Sequence, residues 1–81
     1  MNFYAYVIYN QEHHRFFHGF CQDLEKTLLA HNEGKVEITK YYSNWVMLFN
    51  EGFPTKQEAI RRSQFYRTVG GQRFLKNILK F

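Results

Sequence analysis

Residues 3–9, Phe-Tyr-Ala-Tyr-Val-Ile-Tyr, are apolar or aromatic at every position, so an extended segment here has no face to leave in water. Phe3, Ala5, Val7 and Tyr9 fall on one side and Tyr4, Tyr6 and Ile8 on the other. Such a strand belongs in the middle of a sheet that is covered on both sides. Asn10 to His14 is a polar break of turn length, and Arg15 to Phe20 is strand-like again, so the first two strands are predicted to form a hairpin. Trp45 to Asn50 is a third, near-continuous apolar run that ends at Glu51-Gly52. The expected sheet has antiparallel strands within 3–10, 15–20 and 45–51, the first of them central. Gly19, near the end of the second strand, marks a place where the backbone must bend or be closely approached.

Between the strands the period becomes helical. From Gln22 to Asn32, Leu24, Thr27, Leu28 and His31 share one face, and Gly34 follows as a stop. Val36 to Asn44, with the Tyr41-Tyr42 pair, reads as an ordered loop. After Pro54, Thr55 and Glu58 have the spacing of a capping box. The helix that starts there places Ala59, Ile60, Ser63, Tyr66 and Arg67 on one stripe and is expected to stop at Gly70-Gly71. A last helix carries Phe74, Leu75, Ile78 and Leu79. The order strand, strand, helix, strand, helix, helix describes an α+β fold: a three-stranded antiparallel sheet with packed helices, as a single domain over 1–81.

A chain of 81 residues has little core to spend. Folding at this size buries only roughly 60 to 65% of the surface the unfolded chain exposes. Nine Phe, six Tyr and one Trp make that core dense. A single cysteine, Cys21, excludes an internal disulfide, no CxxC pair is present, the first ten residues lack the features of a signal peptide, and no apolar run reaches membrane-spanning length. The expectation is a cytoplasmic protein without a membrane partner. Charge is unevenly distributed: residues 56–81 hold Lys56, Arg61, Arg62, Arg67, Arg73, Lys76 and Lys80 against Glu58 alone, a balance of +6, whereas residues 1–55 stand at −2. A basic face of that kind suits a polyanion such as nucleic acid. Simple solvation of the C-terminal helices is the competing reading.

Tyr4-Ala5-Tyr6-Val7-Ile8-Tyr9 on the first strand and Phe17-His18-Gly19-Phe20 on the second stand in a characteristic order. Asp23-Leu24-Glu25, His31-Asn32-Glu33-Gly34, Thr39-Lys40, Trp45 and Glu58-Ala59 follow. In this arrangement the whole chain resembles the GIY-YIG nucleases, specifically the small single-domain predicted-endonuclease type. The resemblance implies a phosphodiesterase that uses one divalent metal: a motif tyrosine assists the attacking water, an arginine on the first helix stabilises the phosphate, and a glutamate on the second helix holds the metal. A hard oxygen ligand suits Mg²⁺, and a guanidinium offsets charge on phosphoryl oxygens.

Carried over by position, the first tyrosine is Tyr6 and the helix histidine is His31, both retained. The second tyrosine is Phe17, the arginine position is Thr27 and the glutamate position is Ser63. Lys26 and Glu58 do not replace the missing groups, because they lie about 100° and about 140° around their helices from Thr27 and Ser63. No metal or other cofactor is therefore expected, with Mg²⁺ reserved for the alternative of an active nuclease with a rearranged site. Tyr6 and His31 then become relics or packing residues. His13, His14, His18 and Cys21 match no zinc spacing, Cys21 reads as a structural thiol, and Tyr41 and Tyr42 are the candidates for stacking on bases. The functional expectation is a catalytically impaired domain that binds nucleic acid weakly and without sequence preference through Arg61, Arg62, Arg67, Arg73, Lys76 and Lys80. The further alternative is a protein-interaction module, a homo-oligomer included.

Overall fold

A computed structural model describes residues 2–79. Its strands are β1 (Phe3–Asn10), β2 (Arg15–Cys21) and β3 (Val46–Phe53), and its helices are α1 (Leu24–Asn32), α2 (Lys56–Phe65) and α3 (Val69–Leu79). The sheet is antiparallel with the order β2-β1-β3. β1 is central, as its two-sided pattern requires: Ala5, Tyr6, Val7 and Ile8 are all buried. Ala5 and Val7 enter one core with Tyr66 and Leu75, under α2 and α3. Tyr6 and Ile8 enter a second core with Trp45, Leu24 and Leu28, under α1 and the segment that follows it. No helix among the described residues is long and apolar enough to cross a membrane.

The β1–β2 turn is closed by Asn10, fully buried, whose Oδ1 accepts from the His13 N–H at 3.2 Å. Its Nδ2 donates to the Ser43 carbonyl at 2.6 Å, tying the hairpin to the loop before β3. His14 takes the left-handed conformation (φ 51°) that the turn demands. Asp23 caps α1 by accepting from the Lys26 N–H at 3.0 Å, so this helix begins two residues later than its apolar period alone indicates. Gly34, at φ 75°, stands just past its end. Asn32 then imitates a strand partner for Trp45, accepting from its N–H at 2.6 Å and donating to its carbonyl at 3.1 Å. That double bond fixes the loop that carries Thr39, Tyr41 and Tyr42.

Two further boundaries differ from expectation. β3 runs through Glu51-Gly52 to Phe53, with Gly52 paired to Tyr4. A Cβ on Gly52 would lie 3.3 Å from the Tyr4 ring, so this glycine seats an aromatic neighbour instead of ending the strand. Gly70-Gly71 do not stop α2 either. That helix ends at Phe65 with Tyr66 as its cap, and the glycines form the first turn of α3. Thr68 makes the corner: its hydroxyl donates to the Phe65 carbonyl at 2.7 Å and accepts from the Gly71 N–H at 2.9 Å. Of the capping box expected at α2, the Thr55 half is present, Thr55 Oγ1 accepting from the Glu58 N–H at 3.3 Å, whereas the Glu58 carboxylate accepts from the Thr55 hydroxyl at 3.0 Å in place of the backbone N–H.

Candidate functional cleft

Tyr6 pairs with Gly19 across the hairpin, which puts both on the α1 side of the sheet. A Cβ on Gly19 would meet the Tyr6 hydroxyl at 2.7 Å, so the glycine is there to let the ring lie flat over β2. From that position Tyr6 Oη reaches His31 Nε2 at 2.8 Å, and His31 Nδ1 is 2.6 Å from Thr39 Oγ1. The Thr39 hydroxyl is 3.5 Å from the Val36 carbonyl. One arrangement uses every donor: Tyr6 donates to Nε2, Nδ1–H donates to Thr39, and Thr39 donates onward to Val36. Burial raises the Tyr6 pKa, with nearby Cys21 adding to it, and burial lowers that of His31. Both groups are therefore neutral near pH 7, a phenol held on an imidazole. Phe17 packs beside them, its ring centroid 6.3 Å from Tyr6 and 5.0 Å from His31, and brings no hydroxyl.

A cleft of about 240 Å³ opens over this pair and takes its walls from both sides of β2. Tyr6, Phe17 and Gly19 line it from one side, with His18 and Phe20 from the strand and Ile60, Ser63, Gln64 and Arg67 from α2. Ser63 is buried, facing the sheet between Ala59 and Tyr66. Its hydroxyl turns back to donate to the Ile60 carbonyl at 2.7 Å. Thr27 is not part of the wall. It hydrogen-bonds the Cys21 thiol, whose pKa is raised chiefly by burial and which lies beside Tyr6, so Thr27 meets the cleft one contact removed. Of the five expected residues, Tyr6, Phe17 and Ser63 share the cleft, His31 supports it from below, and Thr27 stands behind it.

The donors present do not fit a Mg²⁺ ion. The α2 position offers a neutral hydroxyl already bonded to backbone, and no group of three or more His, Cys, Asp or Glu side chains converges anywhere among the described residues. His13 stacks on Tyr42 at 4.3 Å, His14 meets the Tyr9 hydroxyl at 3.2 Å, and His18 faces Tyr66. These three histidines point to different neighbours.

The basic residues do not form one face. Arg62 is a core-edge residue: its Nε donates to Glu51 Oε1 at 2.7 Å and Nη2 to Oε2 at 3.4 Å. The guanidinium lies 4.5 Å from the Phe65 ring centroid and 4.6 Å from that of Phe74. Tyr66, fully buried, donates to the same Glu51 Oε1 at 2.5 Å. Burial alone would raise the Glu51 pKa, but the hydrogen bonds from Arg62 and Tyr66 and the guanidinium charge outweigh it and hold the carboxyl below its ordinary value. Arg61 is exposed on the same flank of α2 as Arg62, in a groove with Phe53, Glu58 and Phe65. Arg73 and Lys76 are exposed on α3, and Lys80 lies outside the described residues. Among the described basic residues only Arg67 lines the cleft, its Nη2 donating to the His18 carbonyl at 2.9 Å. Lys56 stands at the other end of the same stripe, its Nζ 6.0 Å from the Phe20 ring centroid. Arg67 as a cleft residue was detectable from its spacing, four residues after Ser63 on one helix face.

The sequence profile of the GIY-YIG catalytic domain matches residues 2–68. A UPF0213 protein of Staphylococcus saprophyticus is 34% identical over 61 residues, covering 74% of each chain. The UPF0213 protein YazA of Bacillus subtilis is 30% identical over 69 residues, 84% of this chain and 69% of that protein. Among solved structures, the solution NMR structure of the UPF0213 protein BH0048 from Bacillus halodurans superposes with a TM-score of 0.55 at 21% identity, over 96% of this chain and 85% of that one. The matched span contains the three strands, α1, α2 and every residue of the cleft, and on that ground the chain belongs to the GIY-YIG superfamily, among its small UPF0213 members.

Proposed function

We propose that this chain is a GIY-YIG scaffold that binds nucleic acid through its phosphates and does not cut it by the metal-assisted route of the family. The observation that carries this reading is the Ser63 hydroxyl, which donates to the Ile60 carbonyl where the route needs a carboxylate. Thr27, bonded to Cys21, supplies no guanidinium. Losing one preorganised electrostatic group costs roughly 100- to 1000-fold in rate. The basic groups that flank the cleft, Arg67 and Lys56, support phosphate contacts there, and Arg61, Arg73 and Lys76 add to the positive field. Arg62 is left out, since its charge is already neutralised by Glu51. A second reading, an active metal-dependent endonuclease with a rearranged site, has the intact Tyr6–His31 pair in its favour.

The test is a fluorescence-anisotropy titration of a labelled oligonucleotide across a salt series. Binding is expected to weaken steeply with salt, and Lys56→Glu with Arg67→Glu to weaken it and flatten the slope. Affinity unchanged by that double variant, or by salt, would refute the phosphate-contact reading.

A further inference from the structure

An aromatic concavity lies beyond the cleft, on the far side of Phe17. It encloses about 450 Å³ and is walled by Arg15, Phe17, Ile38, Tyr41, Tyr42 and Trp45. That volume falls within the range of small-molecule sites, roughly 300 to 1000 Å³. Neither catalysis nor the cores explains the exposure of its rim: Tyr41 is 79% exposed and Ile38 75%. The rim is nonetheless held in place. Thr39, between them, is buried on His31, and Asn32 clamps Trp45 from both sides. Resting on the reading of this chain as a nucleic-acid binder, we infer that this groove is a stacking site for an unpaired nucleobase, and that the preferred ligand is a single strand and not a duplex.

Three features favour that occupant. Aromatic rings in a fixed loop offer flat apolar surface at low entropic cost, and every base has a π-face to lay on them. A cation accompanies the rings: Arg15 is exposed in the groove wall, which suits a ligand whose bases are joined by phosphates, whereas Lys40, 5.3 Å from the Tyr41 ring centroid, is paired with Glu37 at 2.9 Å. Phe17 lines both this groove and the cleft of Arg67, so the two sites adjoin at one ring. Bases stacked within a duplex have no free face to present to such rings.

Trp45 is the single tryptophan and therefore reports on its own groove. The experiment titrates the full chain with three ligands of about eight nucleotides: an oligothymidylate, an abasic strand with the same phosphates, and a duplex. Expected are quenching of Trp45 emission by the oligothymidylate alone and an affinity for it well above that for the abasic strand. Tyr41→Ala, at an exposed position that threatens no core, should weaken the base-bearing ligand roughly 5- to 100-fold and leave the abasic strand unaffected. Equal binding of all three ligands with unmoved emission would overturn the stacking site while leaving phosphate binding intact. Failure of every ligand to bind would overturn both readings. Sedimentation showing a dimer that Tyr41→Ala dissociates would assign the groove to a second copy and overturn this one.

Discussion

A Cβ on Gly71 would lie 1.8 Å from the Phe65 carbonyl oxygen, which leaves no room for any side chain at the corner between α2 and α3. The neighbouring Gly70 meets nothing closer than 3.8 Å. Gly71→Ala is therefore expected to cost about 3 kcal/mol or more, and Gly70→Ala to be neutral or to stabilise by up to about 1 kcal/mol through helix propensity. Urea denaturation of the two variants checks the contrast. Protonation gives a second prediction at this scale. Burial holds His31 below its ordinary pKa, and burial together with the charge of Arg67 does the same for His18, whose buried Nε2 has no partner among the described residues. The unfolded chain takes up protons near pH 6.5 that the folded chain refuses, so stability falls as pH drops from about 7 toward 5. Glu51, held low, adds a further loss below about pH 4.5. Thermal melts across this range should show the melting temperature falling with acidity, and His31→Gln together with His18→Gln should flatten the first part of the fall.

At the scale of elements, α2 is anchored by an ion pair and not by its apolar stripe alone. Glu51 on β3 receives Arg62 and Tyr66, and the Arg62 guanidinium rests near Phe65 and Phe74, joining the sheet edge, α2 and α3. A lysine cannot reproduce the fork or the stack, so Arg62→Lys is expected to cost about 1 to 2 kcal/mol, and Glu51→Ala, which strands a buried tyrosine hydroxyl and the cation, about 2 to 3 kcal/mol. Chemical denaturation measures both. Elements with strong period or chemistry were legible in the sequence. β1 announced itself by its two apolar faces, and the start of α2 by Thr55 and Glu58. The glycines were misread because their meaning depends on a neighbour remote in sequence: Gly52 on the Tyr4 ring, Gly71 on the Phe65 carbonyl. Arg62 was misread for the same reason. Its partner is eleven residues away on a strand, so a charge count places it on a solvated face.

For the molecule as a whole, strand pairing and helix period bring Tyr6, Phe17 and Ser63 to one cleft, with His31 bonded to Tyr6. What the family pattern did not convey is the distribution of cations around that cleft. It depends on how α2 lies against β2, which brings Arg67 to the cleft and turns Arg61 and Arg62 to the opposite flank. The central claim is that the scaffold is intact and its reactive groups are absent. A nicking assay on supercoiled plasmid with Mg²⁺ or Mn²⁺ tests it directly, using the natural chain beside the triple variant Phe17→Tyr, Thr27→Arg, Ser63→Glu. The account predicts no metal-dependent nicking by the natural chain and measurable nicking by the folded triple variant, with each single change doing little because groups that act as a unit contribute non-additively. Metal-dependent cleavage by the natural chain, abolished by removing the metal with a chelator, would contradict it.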